Sequence, residues 1–141
     1  MAKLIVALDL PHPPAIWQLV ENLAELVEYY KVGPVPFTVG GVSLVEQLRR
    51  KGKRVFLDLK FFDIPHVVGE TVQRLCQSGV DLITVHLLGG RRMAEAALEA
   101  KIKSGSPAAL LGVTVLTSMT EDDWRPLGVK TDLKQMVKNL A

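Results

Sequence analysis

Apolar residues along this chain follow two alternating rhythms. Runs at Leu4 to Leu8, Tyr29 to Gly33, Val55 up to the position before Asp63, Leu82 to His86 and Leu110 to Leu116 read as strands, nearly continuous in apolar residues. Between them, apolar residues recur at helical spacing. The sets are Ile16, Leu19, Val20, Leu23 and Val27; Leu44, Val45 and Leu48; Val67, Val68, Val72 and Leu75; Met93, Ala96, Ala97 and Ala100; Leu133, Met136, Val137 and Leu140. Pro13-Pro14 and Pro65 suit helix starts, Gly40-Gly41 and Gly89-Gly90 precede helices, and Gly52 and Gly79 end them. Thr117-Ser118 closes the fifth strand, and a loop holding Glu121, Asp122, Asp123 and Trp124 follows.

Strict alternation of strand and helix, with nearly continuous apolar strands, predicts parallel strands under covering helices. Asp9, Lys31, Asp58, Lys60, His86 and Thr117 all fall at carboxyl ends of predicted strands. In a TIM (β/α)8 barrel that rim builds the active site. A doubly wound open sheet calls instead for a glycine-rich turn after its first strand, and Asp9-Leu10-Pro11-His12 is not one. The expectation is an α/β chain, a single domain over 1–141 covering about the first five βα units of a TIM barrel. A closed barrel takes eight strands and about 250 residues. A five-strand portion leaves an open sheet edge and an uncovered interior. The expected explanations are a truncated or incompletely recorded product, or a fold that another copy completes.

The third run departs from its neighbours. A strand buried on both faces should hold no charge, yet Asp58 and Lys60 sit two apart in Val55-Phe56-Leu57-Asp58-Leu59-Lys60-Phe61-Phe62-Asp63-Ile64-Pro65. Side-chain alternation puts both on one face, with Leu57 and Leu59 on the other. Buried charges cost several kcal/mol each unless paired. An Asp–Lys–Asp cluster at a strand's carboxyl end can pair with itself and also meet a ligand. A strand-end salt bridge is the bland alternative, and the density of charge favours function.

Composition narrows the classes. Lys and Arg number 17 against 15 Asp and Glu, a net charge of +2 that points to neither nucleic acid nor anionic membrane as partner. The run Arg49-Arg50-Lys51 before Gly52 is ordinary helix-ending chemistry. A lone Cys76 excludes an internal disulfide and a cysteine-based zinc site, and on the apolar side of a helix it reads as a small buried hydrophobe. The first residues imitate a signal peptide until Asp9 and Pro11 interrupt them, so a cytoplasmic protein is expected.

These pieces together resemble one family, orotidine 5′-phosphate decarboxylase in its compact bacterial form. The resemblance rests on Ala7-Leu8-Asp9, Lys31-Val32-Gly33-Pro34, Asp58-Leu59-Lys60-Phe61-Phe62-Asp63-Ile64-Pro65, Val85-His86, Gly89-Gly90-Arg91-Arg92-Met93 and Leu116-Thr117-Ser118, in family order. It implies a TIM barrel, a homodimer with active sites at the subunit interface, and no metal or organic cofactor. The implied reaction converts orotidine 5′-phosphate to uridine 5′-phosphate and carbon dioxide, the last step of de novo pyrimidine synthesis. Lys60 would protonate C6 of the pyrimidine, Asp58 would lie beside the substrate carboxylate, and Lys31 would complete an alternating charge line. Asp63 would reach the partner subunit's site. Asp9 and Lys31 would bind ribose hydroxyls, Thr117 would contact the pyrimidine amide, and Ile64 and Val67 belong to the substrate-binding set.

Two departures accompany the resemblance. Members usually carry Thr two residues after the Pro of the motif, where this chain has Val67. That bears on one ribose hydrogen bond, worth about 0.5–1.5 kcal/mol. The family's phosphate-gripping Gln and Arg and its closing loop find no counterpart. Remote phosphate binding drives such sites toward the transition state, so the 141-residue chain alone is expected to show little or no activity. Two rivals stay open: a related sugar-phosphate decarboxylase or aldolase of the same barrel superfamily, and an inactive truncated fragment. The first group typically places Glu after the second strand and uses magnesium, whereas Lys31 stands there in this chain. His86 as a general acid competes with His86 hydrogen-bonded beneath the site, the bland reading being favoured. His12 and His66 lack a paired ligand pattern, so no metal is expected, and Arg91 and Arg92 read as solvated charge.

Overall fold

The computed structural model describes residues 3–141. Five strands form one sheet, β1 (Ile5–Ala7), β2 (Tyr29–Val32), β3 (Arg54–Phe61), β4 (Leu82–His86) and β5 (Ala109–Val113). Their order in space is their order in sequence, and every pairing is parallel. The connecting helices are α1 (Pro13–Asn22), α2 (Pro34–Arg50), α3 (Pro65–Gln77) and α4 (Arg91–Lys103). Right-handed crossovers between successive neighbours place all four on one face of the sheet. This is the build of a TIM barrel, of which the chain forms five βα units.

The core lies between that face and the helices. Leu8, Tyr30, Val32, Val55, Leu57, Ile83 and Val85 meet Ile16, Val20, Val45, Leu48, Val68, Val72, Met93 and Ala97 there, all buried in one cluster. The other, concave face is open at its flanks, where Ile5 and Leu111 are exposed, as a sheet without closing strands requires.

Prolines at the first turns of α1, α2 and α3 supply a φ already suited to a helix where the amide would have no partner. In α2 the structure differs from the expected start after Gly41. The helix begins at Pro34, and Gly41 interrupts it with φ 54° and ψ −148°, a conformation that side chains disfavour. A short helix, α5 (Glu121–Trp124), replaces the expected loop. Thr120 and Asp123 close a reciprocal capping box on it, and Trp124 is buried. The last helix, α6 (Leu133–Leu140), is capped by Asp132, whose carboxylate accepts from the Gln135 amide at 2.8 Å.

The amino ends of the strands are fastened by Asp81, just before β4. Its carboxylate accepts from Arg54 Nε at 2.8 Å, Arg49 Nη1 at 3.2 Å and the Val55 amide at 2.8 Å. Arg54 also lies over the Tyr29 ring, 4.6 Å from its centroid. One carboxylate thereby joins α2, β3 and β4 at the end of the sheet remote from the charged rim.

The pairing of β3 with β4 is irregular. Leu57 aligns with Ile83 and Phe61 with Val85, so Asp58, Leu59 and Lys60 together face Thr84. This two-residue excess is a bulge. It forms at the charged end of the strand.

Candidate active site

Four charges alternate in sign across three neighbouring strands. Lys31 Nζ lies 2.9 Å from Asp9 Oδ2 and 3.7 Å from Asp58 Oδ2, and Lys60 Nζ lies 2.9 Å from Asp58 Oδ1. The line is deepest at Asp58, whose side chain is 14% exposed, against 24% for Lys31, 36% for Lys60 and 49% for Asp9. The deepest side chain is the one with cations on both sides, and that pairing offsets part of the cost of withdrawing it from water. Gly33 makes room for the outer pair, since a Cβ there would stand 2.7 Å from Asp9 Oδ1. The glycine of Lys31-Val32-Gly33-Pro34 is thus a close-approach position.

Lys60 sits in the bulge with φ 49°, the one non-glycine residue at positive φ among the described residues. The left-handed region costs an ordinary side chain about 1–2 kcal/mol. Asp58 and Lys60 meet as alternation predicts, but through this bent segment and not along a straight strand. The Lys60 amide donates to Thr84 Oγ1 at 2.8 Å, and the same hydroxyl donates to Asp58 Oδ1 at 3.1 Å. Thr84 is 3% exposed. Sequence reasoning missed it, because threonine in a strand is unremarkable; its place between Ile83 and Val85, on the face shared with His86, was the available signal.

Asp58, Lys60 and Thr84 line a cleft of about 570 Å³ together with Phe56, Leu111, Thr117 and Ser118. Thr117 enters from a turn, not from a strand end as expected, because β5 stops at Val113 and not at Leu116. Asp63 stands apart from the ion-pair line. It is exposed, and its Oδ1 accepts from the Ile64 amide at 2.6 Å. Phe62, Ile64 and Val67 beside it are exposed as well, so the turn after β3 presents an apolar patch with one carboxylate.

His86 lies under the site, buried, with its pKa pushed below the usual imidazole range by burial and secondarily by the Lys60 charge. Nδ1 accepts from the Leu88 amide at 3.4 Å, and the ring centroid is 5.8 Å from that of Phe62. This is the hydrogen-bonded histidine of the bland reading. Arg91 is exposed and pairs with Glu95 at 2.7 Å, as solvated helix charge does. Among the described residues, no three His, Cys, Asp or Glu side chains are grouped to hold a metal ion, and no helix is long and apolar enough to cross a membrane.

The model of the orotidine 5′-phosphate decarboxylase / HUMPS family matches residues 2–141, which include every member of the charged line. The chain belongs to this family. It is 40% identical over 143 residues to the orotidine 5′-phosphate decarboxylase of Carboxydothermus hydrogenoformans, with 99% of this chain and 60% of the relative covered. It is 43% identical over 140 residues to that of Methylococcus capsulatus, covering 99% of this chain and 55% of the relative. The crystal structure of orotidine 5′-phosphate decarboxylase from Lactobacillus acidophilus superposes with a TM-score of 0.87 at 34% identity, over 100% of this chain and 66% of that one. The chain therefore spans about 55–60% of the length of these two curated relatives. Within the orotidine 5′-phosphate decarboxylase / HUMPS family, then, this chain forms five βα units of the barrel and carries the charged line on them.

Proposed function

We propose that this chain carries the charge network of an orotidine 5′-phosphate decarboxylase, a carboxy-lyase that releases carbon dioxide to give uridine 5′-phosphate. The observation that carries the proposal is the alternating line Asp9–Lys31–Asp58–Lys60 at the rim, with Asp58 and Lys60 opening into the cleft that Thr117 also lines. The names of the relatives support the substrate.

In this reading the C6–carboxylate bond breaks and its electron pair stays on C6. The Lys60 ammonium stabilises that developing charge and donates a proton to it, leaving a neutral amine that solvent reprotonates. A cation already fixed by Asp58 at 2.9 Å needs little reorganisation during the step. Asp58 lies beside the substrate's carboxylate, and their repulsion vanishes as neutral carbon dioxide leaves. Lys31 pairs with Asp58 at 3.7 Å and, with Asp9, binds ribose hydroxyls; Thr117 contacts the pyrimidine amide. Ile64 and Val67 flank the bound nucleotide. Asp63, outside the ion-pair line, serves the partner's site in a homodimer, and the apolar patch of Phe62, Ile64 and Val67 around it suits a covered surface. The reaction belongs to pyrimidine synthesis in the cytoplasm.

The test is loss of orotidine 5′-phosphate absorbance with this chain and with Lys60→Ala. Turnover that disappears in the variant supports the reading. Inactivity both of this chain and of a form extended to its relatives' length overturns it.

A further inference from the structure

Three residues of β3 face one residue of β4, and the one is a buried hydroxyl. Thr84 Oγ1 accepts the Lys60 amide at 2.8 Å and donates to Asp58 Oδ1 at 3.1 Å. The hydroxyl spends its proton on the carboxylate and a lone pair on the amide. Asp58 is thereby divided: Oδ1 takes Thr84 and Lys60 Nζ, while Oδ2 faces Lys31.

We propose that Thr84 is a positioning residue for the charge network, holding the Lys60 bulge and the Asp58 carboxylate in one fixed relation. The inference rests on the decarboxylase reading for its consequence in turnover, though not for its geometry. Lys60 occupies the left-handed region, where a non-glycine residue persists only if its surroundings determine it. The Lys60 amide, displaced from regular pairing by the bulge, finds its acceptor in Thr84. A strand without that acceptor can relax Lys60 toward extended backbone, which swings the ammonium away from Asp58. Thr84 also bonds the carboxylate that orients Lys60 Nζ, so both ends of the lysine depend on one side chain. Valine, of nearly the same shape, removes both bonds, whereas serine retains both.

The experiment compares the wild type, Thr84→Val and Thr84→Ser by amide hydrogen exchange at Lys60 and by steady-state turnover of orotidine 5′-phosphate. The Lys60 amide should be protected in the wild type, exchange at least about tenfold faster in Thr84→Val, and recover in Thr84→Ser. In the same variants kcat should fall about 10- to 100-fold for valine and return with serine, as misplacement of a reacting group produces. KM should change less than kcat, because the ribose and amide contacts assigned to Asp9, Lys31 and Thr117 are kept. A Lys60 amide unprotected in the wild type, or equally protected in Thr84→Val, overturns the proposal. So does a deprotected amide with unchanged kcat. Should Thr84→Val not fold, wild-type protection and Thr84→Ser turnover carry the decision. A wild type without turnover is the outcome expected of a chain that lacks its relatives' phosphate grip; the turnover arm then moves to the form extended to their length, and exchange at Lys60 decides the positioning claim.

Discussion

Strands β3 and β5 are both built from short apolar runs, yet they fare differently. β3 is paired on both sides and lies under helices, so Val55 and Leu57 are wholly buried. β5 has a partner only at β4, and none of its residues is fully buried. Beyond it, through residue 141, Trp124 alone is buried. In α6 the apolar positions Leu133, Met136, Val137 and Leu140 keep helical spacing without any becoming buried. Hydrophobic pattern states which face of an element should be covered, and the neighbours decide whether it is. Stability should therefore be concentrated in β2 through α4, with β5 through α6 opening at lower free energy.

The contrast can be broken or sharpened by perturbing each side. Leu57→Ala should have the largest effect, a loss of about 2–5 kcal/mol from a void between sheet and helices, read from the urea midpoint. Asp81→Ala should follow at about 2–3 kcal/mol. It strands the Val55 amide and two arginines, whose 38–41% exposure lets water recover part of the loss. The third effect is a pH dependence centred on His86. Burial, and secondarily the Lys60 charge, lower the folded imidazole's pKa, so around and below its ordinary value of 6.5 the unfolded chain binds more protons and stability falls as pH falls. The slope from one such group is at most about 1.4 kcal/mol per pH unit, and a denaturation series from pH 7.5 to 5.5 on His86→Gln should be flatter than on the wild type. The smallest change should come from Val137→Ala in α6, within about 0.5 kcal/mol. A Val137→Ala loss approaching that of Leu57→Ala would abolish the contrast.

Much of this was legible before any coordinates. The runs that became β2 and β4 were placed within a residue, and α3 begins at the proline that marked it. Those elements have neighbours on both sides, so their local pattern and their packing agree. β5 was read three residues too long because Thr114, Val115 and Leu116 continue an apolar, β-branched run, while the pairing that would extend it is absent at the sheet's edge. The helix at Trp124 was missed although Thr120 and Asp123 spell a capping box; its single turn is too short for periodicity to register. At the site, alternation brought Asp58 and Lys60 together on paper, and resemblance linked them to Asp9 and Lys31. No sequence rule announces that Lys60 is left-handed, that Thr84 faces three residues, or that Asp63 lies outside the line, because each depends on cross-strand register.

The bulge in β3 has a consequence for how chemistry enters a sheet. A strand presents its faces as a signal of period two, and an excess of two residues returns that signal to phase. Leu57 and Phe61 therefore keep the parity of Ile83 and Val85, and the packing code on either side reads as though nothing had been added. An insertion of one would have inverted every later side chain. The charged segment can thus be regarded as a cassette, carrying charge to the rim of the sheet and silent to the core that bears it.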